Sequence, residues 1–277
     1  MQKKIVIGVD VGISTTKIVG FCGHDILTPI LIKATDPVSS LYGAFGKFLY
    51  DNHIALDDIK KVMLTGVGAS YIDGAIYGCP TEKVDEYIAD ALGASYRTHL
   101  DRMIVVSMGT GTTYVKKEGD CISHLGGVGI GGGALQGMAR VILKTDNFKE
   151  ISALAMKGDI SKVDLLIGDI SNKPLPNLPM DATASLFAKA QANTKAEDLA
   201  LGIIQLVLQS IFSGAIFASL NTGIKDIVLI GNLTLLPQCK QVYLQLEKLY
   251  GVRFHIPNNS QFRTAIGASL SAKEDKA

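Results

Sequence analysis

Asp10 closes the short apolar run Ile5-Val6-Ile7-Gly8-Val9, and Gly12, Ser14, Thr15 and Lys17 follow it closely. A carboxylate able to hold Mg²⁺, hydroxyl and backbone donors in a tight turn, and a nearby lysine are the groups a nucleotide phosphate requires. Ser107-Met108-Gly109-Thr110-Gly111-Thr112-Thr113 repeats this combination roughly a hundred residues later. Taken singly, each segment also reads as an ordinary tight turn between strands. No GxGxxG follows the first strand and no GxxxxGK[ST] occurs, so the phosphate site is of another type.

Residues 126–137 hold seven glycines in twelve positions and run into an apolar helical stretch, Ala134–Leu143. Such a run either packs backbone against backbone or lets a ligand approach closely, with the N-terminus of the following helix offered to phosphate. His24, His53, His99 and His255 form no ligand pattern. Cys22, Cys79, Cys121 and Cys239 are far apart and make no CxxC pair, so a zinc site or intrachain cluster is not expected.

The elements that must position these residues follow from periodicity. Residues 5–10 and 18–22 read as a hairpin, 38–53 as a helix, and 59–65 as a strand running into Gly66-Val67-Gly68. A helix is expected within 82–100, strands at 103–107 and 227–230, helices at 147–157 and 237–250, a strand at 252–256 and a last helix from Arg263. Residues 171–182, with Pro174, Pro176 and Pro179, must be largely extended, and helix is expected from Ala184 onward. The recurrence of strand, glycine turn and strand predicts two related halves, 1–100 and 101–277.

With 277 residues the chain can bury a sizeable core. Lys+Arg 27 against Asp+Glu 26 gives a net charge of +1, which disfavours a nucleic-acid scaffold. Mean hydropathy is +0.27, and residues 199–224 carry no charged side chain. Polar residues such as Gln205, Gln209 and Asn221 interrupt that stretch, so it is expected to be a buried helix or subunit interface and not a membrane span. The N-terminus reads as a first strand and not a signal peptide, and a reduced, cytoplasmic location is expected.

The order of hairpin with Asp10, second Gly/Thr hairpin, and late strand ending in Ile230-Gly231-Asn232 resembles the acetate and sugar kinase/heat-shock-70/actin superfamily. Within it the sequence is most similar to the type II pantothenate kinase family, through Gly8-Val9-Asp10-Val11-Gly12, Val84-Asp85-Glu86-Tyr87, Ser107–Thr112, Leu125–Gly133, Leu166–Ile170 and Ile230-Gly231-Asn232. The resemblance covers nearly the whole chain. It implies an α/β, two-lobed actin-like ATPase (ribonuclease H-like) fold with a duplicated β-sheet core and an interlobe cleft.

The resemblance further implies ATP and Mg²⁺ as cofactors, with Asp10 ordering the metal and phosphates. Gly12, Ser14, Thr15 and Lys17 line the first phosphate loop, and Gly109, Thr110, Gly111 and Thr112 the second. Gly131, Gly132, Gly133, Gly231 and Asn232 complete the nucleotide site. Ser107, His124, Gly126 and Gly127 lie on the side of the acceptor, and Glu86 sits where the family keeps its general base, with Asp85 and Asp90 as lesser candidates. The implied reaction is phosphorylation of pantothenate by a homodimer.

Two positions depart from the family pattern. His124 stands where an arginine usually contacts the acidic substrate, and an imidazole cannot reproduce a bidentate grip on a carboxylate. The first hairpin reads Val-Gly-Ile-Ser-Thr-Thr where Gly-Gly-Thr is typical; Arg140 or Arg97 are the cations available to compensate. Alternatives are a sugar or amino-sugar kinase, an ATPase activator of 2-hydroxyacyl-CoA dehydratase type, which would need cysteines for an iron–sulfur cluster, and a catalytically silent nucleotide-binding protein.

Overall fold

A computed structural model describes residues 4–34, 36–173 and 178–272. In the first sheet, β1 (Ile5–Val11) pairs antiparallel with β2 (Thr15–Cys22), and β2 with the short β3 (Asp25–Ile26) and β4 (Ile30–Lys33). After α1 (Pro37–Asn52), β5 (Ile59–Thr65) returns parallel to β1 and carries β6 (Thr81–Lys83) on its far side. α2 (Glu86–Ser95) then leads out of this sheet.

The second sheet repeats the plan. β7 (Arg102–Met108), β8 (Thr112–Glu118) and β9 (Cys121–Val128) form an antiparallel meander. The chain passes through α3 (Gly132–Ile142), α4 (Phe148–Ala155), the small pair β10 (Leu165–Leu166) and β11 (Thr183–Ser185) with α5 (Ile167–Ile170) between them, and the long α6 (Ala196–Thr222). β12 (Asp226–Ile230) then joins β7 in parallel, and α7 (Pro237–Tyr250) brings in β13 (Arg253–His255) beside β12. α8 (Arg263–Leu270) is the last element. The duplicated core expected from the repeated hairpins is therefore present: antiparallel strands, four in the first sheet and three in the second, are extended in each by two parallel additions.

Strand alternation decides which residues reach the space between the sheets. Ile5, Ile7, Val9 and Val11 of β1 join Leu41, Phe45 and Phe48 of α1 in one core, so Gly8 and Asp10 face the other way. Ile104, Val106 and Met108 of β7 pack under α6, while Met103 and Val105 face Ala91 and Ala94 of α2. Ser107 shares that second face. Asp10 and Ser107 therefore both project toward the layer that separates the sheets.

That layer is a pair of crossed helices. α8 rests on the first sheet through Ala265 and Ile266 against Val19 and Phe21, whereas α2 rests on the second. The two touch at Gly93 and Gly267, where a methyl group would overlap the Arg263 and Ala89 carbonyl oxygens respectively. Arg263 locks the crossing by donating to the Gly93 carbonyl at 3.0 Å and to Tyr96 and Asn258 carbonyls. Burial lowers its pKa to about 10.

α6 supplies the charge-free stretch. By length and composition it could cross a membrane, but 56% of its most apolar window is buried inside the protein, and Ile204, Leu208, Ile211 and Phe212 are central to the larger core. Helix begins at Ala196 and not at Ala184. The segment before it is held in strand and turn because the buried Asp164 carboxylate accepts from the Phe187 N–H at 2.9 Å and the Thr183 hydroxyl at 3.1 Å. Pro174 and Pro176 lie outside the described residues.

Candidate active site

Register puts Lys17 of β2 opposite Asp10 of β1, and Lys17 Nζ lies 3.2 Å from Asp10 Oδ2 with both side chains buried. A buried pair of this kind needs further polar partners to offset desolvation. Gly66, at the end of β5, lies so close that a Cβ there would stand 2.7 Å from Asp10 Oδ1. Beside them, the hydroxyl oxygens of Thr16 and Thr65 are buried and have no hydrogen-bond partner among the described residues. The hairpin turn itself is closed by Gly12 N–H donating to the Thr15 carbonyl at 3.0 Å.

The tips of the two hairpins meet. Ser14 Oγ and Thr110 Oγ1 are 3.0 Å apart and exposed. Behind the second tip, Gly132 and Gly133 N–H groups donate to the Gly109 and Thr110 carbonyls at 2.8 and 2.9 Å, and Thr112 Oγ1 donates to the Ile130 carbonyl at 2.8 Å. Gly131 is pressed against the carbonyls of Gly109, Thr110 and Gly111. Gly131, Gly132 and Gly133, the end of the glycine run, are thus sealed backbone to backbone onto the tip, while Gly126 and Gly129 face open space, and helix starts at Gly132, two residues before the expected Ala134. The first donors of α3 shape the loop instead of being free for a ligand.

Glu86 is the first residue of α2, and its carboxyl is pushed up to about 7 by burial and by Asp10, with Lys17 opposing. Asp90, one turn later and fully buried, is pushed up to about 8 by burial and then by Glu86. The Thr264 hydroxyl of α8 donates to Asp90 Oδ1 at 2.7 Å and, with Ser107, moderates that shift. Three carboxyl groups, from β1 and α2, therefore share one electrostatic field between the lobes, a grouping typical of acid–base sites.

On the far side of the second tip, β12 is followed by Gly231, whose φ of 98° and contact with the Met108 carbonyl suit glycine. Gly231 N–H donates to the Ser260 carbonyl at 2.9 Å, and Thr234 Oγ1 donates to the Gly231 carbonyl at 2.7 Å. Asn232 Oδ1 is buried with no partner among the described residues, leaving an acceptor for an amine or hydroxyl of a bound nucleoside. This donor and acceptor set fits ATP. Among the described residues no three His, Cys, Asp or Glu side chains group as a metal site; Mg²⁺ commonly takes one carboxylate together with phosphate oxygens, which Asp10 can supply.

His124, Gly126 and Gly127 lie on β9, beside Val115, Tyr114 and Thr113 of β8, with the register slipping between Tyr114 and Val115. The exposed His124 ring stands 6.1 Å from that of Tyr87, the neighbour of Glu86. Of the two arginines considered as replacements, Arg140 is bonded to Asp146 at 2.8 Å and Arg97 lies over the Tyr96 ring. A cavity of about 540 Å³ lies elsewhere, by Lys157, Lys189 and Lys195 near the start of α6; it holds none of the residues just described, whereas the perturbed carboxyls of Glu86 and Asp90 lie beside Asp10.

Residues 79–245 match the Fumble family. The type II pantothenate kinase of Oceanobacillus iheyensis is 30% identical over 199 residues, covering 68% of this chain and 74% of that protein. The chain belongs to the type II pantothenate kinase family. Another member, from Bacillus cereus strain G9842, is 26% identical over 255 residues and 86% of each chain. The matched span 79–245 contains Glu86, Ser107, the second tip, the glycine run, Gly231 and Asn232.

Solved structures show the fold of this pantothenate kinase family member. The activator of the 2-hydroxyisocaproyl-CoA dehydratase from Clostridium difficile with bound ADPNP superimposes with a TM-score of 0.71 at 18% identity, over 97% of this chain and 94% of that one. A hexokinase of the ROK type from Thermus thermophilus gives 0.54 at 12% identity, over 96% and 97%. The fold is the α/β, two-lobed actin-like ATPase fold, and the family relatives support a kinase.

Thr65, Gly66 and Thr264 join the expected residues at the site. Thr65 and Gly66 repeat, at the end of β5, the strand-to-glycine junction that marks Asp10, and that junction was the available signal. Thr264 gave none, since it reaches Asp90 from the last helix of the chain across 174 residues.

Proposed function

We propose that this protein phosphorylates pantothenate at its hydroxyl, with ATP as donor and Mg²⁺ as the metal. Bound Mg·ATP supplies the phosphoryl group and neutralises charge on it. Asp10 holds the metal end of the phosphates, Lys17 balances Asp10, and Ser14, Thr15 and Thr110 donate from the two hairpins, while Thr112, expected among these donors, is buried and spends its hydroxyl on the Ile130 carbonyl, bracing the second tip. Glu86 accepts the acceptor's hydroxyl proton. The observation that carries this reading is the buried Asp10–Lys17 pair beside Glu86, a carboxyl that burial raises to about 7 and that can take up a proton at working pH.

Asn232 and Gly231 take the adenosine side, with Gly131, Gly132 and Gly133 keeping the second tip in shape. Ser107, His124, Gly126 and Gly127 line the acceptor side, where His124 in place of arginine weakens recognition of a carboxylate. The protein acts as a cytoplasmic homodimer in this reading, supported by its free cysteines and by the exposed Phe217 and Leu220 on α6. Measuring ADP release with pantothenate, pantetheine and a panel of sugars tests the assignment. Turnover that follows a sugar and ignores pantothenate would overturn it.

A further inference from the structure

Asp90 carries a requirement that the proposed mechanism leaves unmet. Its carboxyl is fully buried at the α2–α8 crossing; Thr264 serves Oδ1, while Oδ2 makes no well-formed hydrogen bond among the described residues. The titratable groups nearest in influence are the carboxyls of Glu86 on its own helix and Asp10 on β1. Arg263, on α8, is spent on the Gly93, Tyr96 and Asn258 carbonyls, and Lys17 is paired with Asp10. The hydroxyls facing it are Thr264 of α8 and Ser107 of β7.

An anion in such surroundings has lost its hydration without gaining a cation, so the neutral acid is the stable form. A neutral carboxylic acid has a hydroxyl donor, and that donor needs an acceptor. Residues four apart on a helix face one another at about 5–6 Å between Cβ atoms, which puts the Glu86 carboxylate within reach of a small rotamer change. Ser107 is the other group at hand, but its hydroxyl can itself donate and does not require Asp90's proton.

We propose that Asp90 is the positioning residue for the Glu86 base: as a buried neutral acid it presents its Oδ2 hydroxyl to the Glu86 carboxylate and fixes that carboxylate toward the acceptor hydroxyl. The positioning role rests on the reading of Glu86 as base; the protonation of Asp90 does not. Contact with the α8 residue Thr264 makes the same carboxyl sensitive to how the two lobes sit on their helix pair.

Difference infrared spectroscopy of the intact protein tests the proton directly. At neutral pH a protonated-carboxyl carbonyl band is expected that Asp90→Asn abolishes, that shifts in Glu86→Gln, and that Ser107→Ala leaves in place. Absence of a band removed by Asp90→Asn, or a band indifferent to Glu86→Gln and moved by Ser107→Ala, would overturn the proposal without bearing on whether the protein is a kinase. Kinetics supply the second arm. Asp90→Asn, which keeps an N–H donor, should lose less than about threefold in kcat, and Asp90→Leu at least ~10-fold, with KM for ATP little altered. The acid limb of kcat/KM should move to higher pH in Asp90→Leu, because the ionised base loses a donor. Equal losses in both variants with an unmoved limb would reduce Asp90 to a packing residue, as would no loss in either.

Discussion

The hydroxyls of Ser14 and Thr110 meet at 3.0 Å although 96 residues separate them in the chain. Each belongs to the tip of a hairpin that opens one of the two sheets, so this contact brings the two halves of the duplicated fold together at the mouth of the cleft. If the phosphates lie between these tips, both hydroxyls must exchange their mutual hydrogen bond for bonds to phosphate oxygens. Ser14→Ala and Thr110→Ala should each raise KM for ATP by about 3–10-fold, the scale of one net hydrogen bond once the lost Ser14–Thr110 bond is set against it. The double variant should cost less than the product, since the two share a partner. Steady-state kinetics and titration with a non-hydrolysable ATP analogue check this.

Glu86 accepts a proton only when ionised. Its carboxyl stands at about 7, so kcat/KM should fall below that pH with a slope of one and level off above it. Lys17 lowers the Glu86 value; Lys17→Met should move the limb to higher pH as well as weaken nucleotide binding. Glu86→Gln should lose at least ~10²-fold in rate and abolish the limb while ATP still binds.

Asp90 also shapes stability. A carboxyl whose pKa is raised in the folded state favours folding through its bound proton; this contribution is complete below its ordinary value and is lost as pH rises through about 8. Asp90→Asn removes the loss. The variant should therefore gain thermal stability relative to the natural chain at pH 9, by several degrees in Tm, and show little gain near pH 4. Melting curves at the two pH values, followed by circular dichroism, decide it.

His124 is exposed on β9 beside Tyr87. His124→Arg should lower KM for pantothenate by about 3–10-fold and leave uncharged acceptors unaffected, since only a carboxylate gains from the planar guanidinium. An unchanged KM would locate carboxylate recognition at another cation.

Much of this site was legible in the sequence because its signals are local. Asp10 follows a β-branched run, the tips are rich in Gly, Ser and Thr, and Gly231 follows the strand Ile227–Ile230. The helix crossing was not legible: Gly93 and Gly267 are single glycines in separate helices, and only their contact gives them meaning. Asp90 looked like a lesser version of Glu86 for the same reason, since its burial depends on α8 arriving from the end of the chain. The apolar spacing after Ala184 is helical, yet α6 starts at Ala196, because Asp164, 19 and 23 residues earlier in the chain, ties Thr183 and Phe187 into strand and turn. The glycine run had two readings, and the backbone bonds of Gly132 and Gly133 to the second tip favour packing for those two residues.

Transfer of the terminal phosphate of γ-labelled ATP to pantothenate, followed by separation of the products in the presence of Mg²⁺, addresses the central claim. The account predicts label on a phosphorylated pantothenate, formed in proportion to ADP and lost in both Asp10→Asn and Glu86→Gln. Label appearing only as inorganic phosphate, or on a sugar offered beside pantothenate, would contradict it.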